Sequence, residues 1–151
     1  MSSIYESPWR EPEKYHQTME SLIHATSLVV SSGGILEKHK RQLLDTIVWK
    51  ATEAGGKTKY DTRYVSESVF EAARQRRTIK VNFEHVRPKK KVISDLLATP
   101  DKIKRILYNA MACTVSHNEH KLLRDGEDWD RYKAANIRVY DRLKNKFVDC
   151  I

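Results

Sequence analysis

Sulfur chemistry is nearly missing from this sequence: 151 residues carry two cysteines, Cys113 and Cys150, and three methionines. Two thiols are too few for a disulfide framework and cannot form a four-thiolate zinc site. Glycine and proline are also scarce, five and four, which excludes collagen-like and low-complexity architectures. No apolar run approaches the roughly 20 residues of a membrane span, and residues 1–13 are polar and acidic where a signal peptide would be basic and then apolar. A cytoplasmic chain without membrane contact is the expectation. With 40% apolar and 32% charged residues, the composition is that of a folding chain, and its length suits one domain with a single core.

What the sequence does have is basic charge, and it is unevenly spread. The net charge is +8, from 28 Lys and Arg against 20 Asp and Glu. Between positions 74 and 91 stand Arg74, Arg76, Arg77, Lys80, Arg87, Lys89, Lys90 and Lys91, with Glu84 the one acid among them. The rest of the chain is close to neutral. A concentrated cationic segment is what contact with a polyanion needs, although a charge run taken alone is more often a solvated face.

Hydrophobic spacing organises the remainder. Residues 1–13, broken by Pro8 and Pro12, read as an irregular arm before a single domain over 14–151. Tyr15, Met19, Leu22, Ile23 and Thr26 fall at helical spacing, and a second helix carries the stripe Leu36, Leu43, Leu44, Ile47, Val48 and Ala51 up to Gly55-Gly56. Gly55-Gly56-Lys57-Thr58 is no phosphate loop, because Ala51 occupies the place of that motif's first glycine. After a loop over 57–64, Ser66 caps a helix reaching 77. Period-two alternation over 78–83 predicts a strand that delivers Glu84-His85 at its end, and Pro88 turns the chain out of the sheet. Helical pieces follow over 92–97 and 100–110, then a strand over 112–115. Ser116-His117-Asn118-Glu119 is a capping box opening a helix to about 124. A helix over 129–135, a strand over 137–140 and a ragged basic end complete the chain. The expected fold class is α+β, mostly helical, enclosing a two-stranded hairpin plus helix over 78–124.

The order of strand, Glu84-His85, excursion, strand and then a helix bearing His120 resembles the HNH nuclease family. Phe83-Glu84-His85-Val86-Arg87-Pro88 looks like the family's opening Asp/Glu-His-x-x-Pro, and the segment from Cys113 to Lys121 looks like its closing strand and helix. Ser116 and Glu119 stand where many members carry cysteines of a zinc knuckle. The resemblance implies a beta-beta-alpha metal fold and a metal-dependent endonuclease, with nucleic acid as partner and DNA as the first expectation over RNA.

The chemistry of the residues points the same way. Phosphodiester hydrolysis needs an activated water and neutralisation of the charge that develops on oxygen. A histidine suits the first task near neutral pH, so His85 is the candidate general base. Glu84 and His120 are the candidate ligands of a divalent ion, Mg²⁺, Mn²⁺ or Zn²⁺. Adjacent strand residues point to opposite faces, so Glu84 and His85 share a site only where the strand ends or bulges. Arg74, Arg76, Arg77, Arg87, Lys89, Lys90 and Lys91 are the candidate backbone contacts. Against this, Glu84 also reads as a salt-bridge partner of neighbouring cations, Glu119 as a cap, and His117 and Asn118 as solvated residues of a helix start. The alternative function is a non-catalytic nucleic-acid-binding or regulatory protein on an inactivated nuclease-like fold. A third is a basic face for an acidic protein partner.

Overall fold

The computed structural model describes residues 4–148, and Cys150 lies outside them. The two longest helices, α1 (Tyr15–Ser31) and α2 (Glu37–Glu53), are joined by a short turn through Gly33-Gly34. Met19 from α1 meets Leu44, Ile47, Val48 and Ala51 from α2, and this stripe closes against Val92, Ile93, Leu96, Ile103 and Leu107. Leu36 and Leu43, expected on the same stripe, are exposed instead; Leu36 is the cap residue of α2 and lies before its periodic face begins. After α2, Gly56 packs where an added Cβ would collide with the Asp61 carbonyl oxygen, so only glycine fits that turn.

The remaining elements are β1 (Tyr64–Ser66), α3 (Glu67–Arg74), β2 (Val81–His85), α4 (Lys89–Ala98), a single 3₁₀ turn (Pro100–Lys102), α5 (Ile103–Tyr108), β3 (Ala112–Ser116), α6 (His117–Leu122), α7 (Asp128–Ala134), β4 (Val139–Asp141) and β5 (Lys146–Phe147). Among the described residues, the protein is therefore an α+β domain of seven α-helices around one mixed sheet. The sheet order is β2-β3-β1-β4-β5, with β1 parallel to β3 and the other neighbours antiparallel. A second apolar cluster lies on this sheet: Val86, Cys113, Val115, Tyr132, Ile137 and Val139, with Trp129 packed against it. Burial holds the Cys113 thiol well above its ordinary pKa.

Three departures from the expected pattern change the surroundings of Glu84 and His85. The two expected strands pair antiparallel across the helical excursion over 86–111, but they belong to a sheet of five rather than to a separate two-stranded hairpin. The helix capped by Ser66 stops at Arg74, and Arg76 takes a left-handed conformation (φ 54°), so the strand begins at Val81 rather than at 78. The shift puts Glu84 and His85 inside the ladder, Glu84 opposite Cys113 and His85 opposite Ala112. Helix α4 then starts directly after Pro88, three residues earlier than the spacing predicts, and takes Lys89, Lys90 and Lys91 into its first turn.

Candidate functional site

Strand periodicity decides the geometry. Asn82 and Glu84 leave β2 toward α6, where their partners are His117 and His120, whereas His85 leaves it toward Thr52 and Trp49 of α2 and Phe83 toward Trp49. Glu84 is only 13% exposed, and both its oxygens are engaged: Oε2 lies 2.7 Å from His120 Nδ1, and Oε1 accepts from the Arg131 guanidinium at 3.0 Å. Arg131, 7% exposed, also donates to the backbone carbonyls of His85, Val86 and Arg124. It thus ties α7 to the end of β2 and fixes the carboxylate in place. A buried guanidinium without such a partner would cost several kcal/mol, roughly 3–5 by analogy with broken buried pairs.

His120 is 44% exposed. Because a carboxylate faces Nδ1, that nitrogen carries the proton, and Nε2 is left as the acceptor on the solvent side. One turn earlier, the exposed His117 makes a parallel contact: its Nδ1 donates to Asn82 Oδ1 at 3.1 Å. Two imidazoles at i and i+3 of α6 are therefore docked on two polar side chains at i and i+2 of β2. The start of α6 is anchored by its capping box. Glu119 Oε2 accepts from Ser116 N at 2.8 Å and from the Ser66 hydroxyl at 2.6 Å, and Ser116 Oγ accepts from Glu119 N at 3.2 Å. Glu119 so joins the N-terminal ends of α6 and α3 and is a structural residue, as its position in the box suggests.

His85 stands on the opposite face. It is buried between the rings of Trp49 and Phe83, with centroids 5.0 and 5.3 Å away, and its Nε2 is 3.1 Å from Thr52 Oγ1. Thr52 gives its own proton to the Trp49 carbonyl at 2.8 Å, so the imidazole donates and the hydroxyl accepts. Desolvation, aided by the nearby Lys89, pushes the His85 pKa from 6.5 down to about 4, while Asp45 opposes the shift. The ring is neutral at ordinary pH and is turned away from Glu84 and His120. Of the three expected site residues Glu84 and His120 meet, but His85 does not join them, because β2 stays paired with β3 as far as His85 and adjacent strand residues point to opposite faces.

The same geometry tests the metal. Among the described residues no group of three or more His, Cys, Asp or Glu side chains is placed to hold an ion. The two expected ligands, Glu84 and His120, do lie side by side, but they bond each other and Arg131 takes the second carboxylate oxygen, so two donors so engaged make no cage for a divalent cation.

The basic window divides into two kinds of residue. Arg87 meets Asp95, Glu127 and Asp128 at 2.8–3.2 Å, Lys91 meets Glu127 and the Gly126 carbonyl, and Lys89 meets Asp45 at 2.9 Å. These three hold elements together, and most of their acids lie far off along the chain, where local charge counting does not reach them. Arg74 pairs with Glu71 at the surface, and Arg77 bonds Gln75. Arg76, Lys80 and Lys90 are exposed. Beside His117 runs an open groove of about 410 Å³, lined in part by Ser68, Arg77, Lys80, Ser116 and Asn118. A smaller cavity of about 170 Å³, walled by Trp9, Tyr15, Thr62, Phe83 and Ala112 among others, lies on the His85 side of the sheet.

Comparison with known proteins found no matching family model, curated protein or solved structure. Reading the sequence also missed Arg131, Asn82 and the pairing of His117 with His120. The i, i+3 spacing of the two histidines was the available signal, but the residues that dock them become visible only once the register of β2 against β3 is known.

Proposed function

We propose that this protein cleaves phosphodiester bonds of nucleic acid at the Glu84–His120 pair. The observation that carries the reading is a half-exposed imidazole whose inner nitrogen is held at 2.7 Å by a carboxylate that is itself fixed by a buried arginine. Such an arrangement orients the ring, selects the tautomer with a free outer nitrogen and stabilises the imidazolium formed when that nitrogen takes a proton. His120 is the general base, in place of His85, and Glu84 is a positioning residue rather than a ligand. The likeness to HNH nucleases supports the substrate class alone: an acid on the first strand and an imidazole on the helix after the second is the order that the family pattern implies. Arg77 and Lys80, along the groove beside His117, supply cations for the substrate backbone.

The test is cleavage of plasmid DNA and of single-stranded RNA by the wild type, His120→Ala and His85→Phe. His120→Ala lowers the rate by about 10²–10⁴-fold, and His85→Phe retains cleavage in proportion to its folded fraction. Equal rates for wild type and His120→Ala overturn the assignment. A second reading, binding without cleavage, is favoured by the engagement of both Glu84 oxygens in contacts within the protein; salt-sensitive retention on nucleic acid with no cleavage by the wild type supports it instead.

A further inference from the structure

The pair of docked imidazoles carries the proposed function one step further, on the condition that His120 is the base of that reaction. We infer that His117 is the partner acid of His120 and that the substrate is RNA, cleaved without a metal ion through its own 2′-hydroxyl.

Both rings present the same face to the strand. Glu84 Oε2 holds Nδ1 of His120 at 2.7 Å, and Asn82 Oδ1 holds Nδ1 of His117 at 3.1 Å. The outer nitrogen of each ring therefore lies on the solvent side, and both rings belong to exposed residues. Their docking residues are two apart on β2, a spacing of about 6–7 Å, and the helix positions are three apart, with Cβ atoms about 5–6 Å from one another. A single phosphate fits between two groups so spaced when each outer nitrogen comes within about 2.6–3.2 Å of its oxygen.

The partners differ in a way that divides the work. Glu84 is a carboxylate held between Arg131 and His120, and a carboxylate against Nδ1 suits the ring that gains positive charge in the step. Asn82 is an uncharged amide that orients its ring through Nδ1 and adds no charge beside it, which suits the group that gives up a proton in the step. In the step itself, His120 Nε2 takes the proton of the 2′-hydroxyl as its oxygen bonds to phosphorus. The bond from phosphorus to the 5′-oxygen breaks, and that oxygen receives the proton of His117 Nε2. The products are a 2′,3′-cyclic phosphate and a 5′-hydroxyl, with no change of oxidation state and no water consumed. An internal nucleophile needs no metal-bound hydroxide, because its proximity supplies much of the advantage that an ion would otherwise give. The unsuitable donor set around Glu84 is consistent with this chemistry. Lys80 and Arg77 line the groove together with His117 and carry the cations that the crowded phosphate requires.

The experiment uses the full chain in EDTA with a 5′-labelled single-stranded RNA, its all-DNA counterpart, and an RNA in which sulfur replaces the bridging 5′-oxygen at the cleaved position. The wild type cuts the RNA to cyclic phosphate and 5′-hydroxyl ends and leaves the DNA intact. His117→Ala and His120→Ala each slow cleavage by about 10²–10⁴-fold. The sulfur substrate, whose leaving group needs no proton, restores His117→Ala to near the wild-type rate and leaves His120→Ala slow. Cleavage that requires added Mg²⁺ or Mn²⁺, equal cutting of DNA, full activity of His117→Ala, or a His117→Ala defect that sulfur does not relieve each overturns this inference while the wider proposal stands on His120→Ala. No cleavage of any substrate by the wild type, with or without metal, overturns both.

Discussion

At the scale of single residues, the sharpest contrast is between two histidines that the sequence presents as partners. His120 keeps one face in solvent, while His85 is enclosed by Trp49, Phe83 and Thr52, with Lys89, Asp45 and Arg131 as the charged groups around it. A histidine whose pKa falls on folding binds fewer protons in the native state, so its contribution to stability is present above the unfolded value near 6.5 and is lost as pH drops toward 4. The expected loss from this group is about 3 kcal/mol across that window. Urea unfolding at pH 7, 5.5 and 4 measures it, and His85→Gln flattens the dependence; an unchanged slope in that variant removes His85 as its source. The placement of Glu84 on a strand and of His120 on a helix was legible, because both follow from local pattern. The surroundings of Glu84 were not, since the guanidinium that engages it comes from position 131 on another helix.

At the scale of elements, boundaries set by side-chain chemistry were readable and those set by pairing were not. The start of α6 follows from Ser116 and Glu119, and both halves of the box form. Its acid does more than the local motif demands, because the same oxygen also accepts from Ser66 at the head of α3. Glu119→Ala therefore removes a cap and a tie between two helices, and lowers stability by about 1–2 kcal/mol; thermal melts of the single variant and of Glu119→Gln, which keeps an acceptor, check it. Strand β2 was displaced from its expected place by three residues at its start, since Thr78, Ile79 and Lys80 alternate as a strand would but precede the stretch that meets β3. Strands β1 and β5, with three and two residues, are too short to show a period at all. Their existence depends on neighbours that lie elsewhere in the chain.

At the scale of the whole molecule, the basic excess splits into cations that bind the protein to itself and cations that stay exposed at the surface. Arg87 is the clearest of the first kind, with carboxylates from α4, α7 and the residue before α7 gathered around it. Lys80 belongs to the second. In a salt titration of RNA binding, Lys80→Gln lowers the dependence of log K on log salt by about 0.7, whereas Arg87→Gln leaves that slope unchanged and lowers the melting temperature; equal slopes for wild type and Lys80→Gln detach the groove from binding. Composition alone suggested one continuous patch, because the acids that divide it are contributed by Asp45, Asp95, Glu127 and Asp128.

The strand order also governs how the chain reaches this state. Strand β1 lies at the middle of the sheet, yet its two neighbours, β3 and β4, come from residues 112–116 and 139–141. Helices α1 and α2 can pair early from nearby sequence, but the central strand has to wait for two segments separated from it by dozens of residues. Closing such loops ahead of any contact that rewards them makes sheet assembly the slow, entropy-limited stage of folding. A nascent chain that has emerged only through β3 would hold β1 with one side still open, until β4 closes the centre and β5 adds the rim.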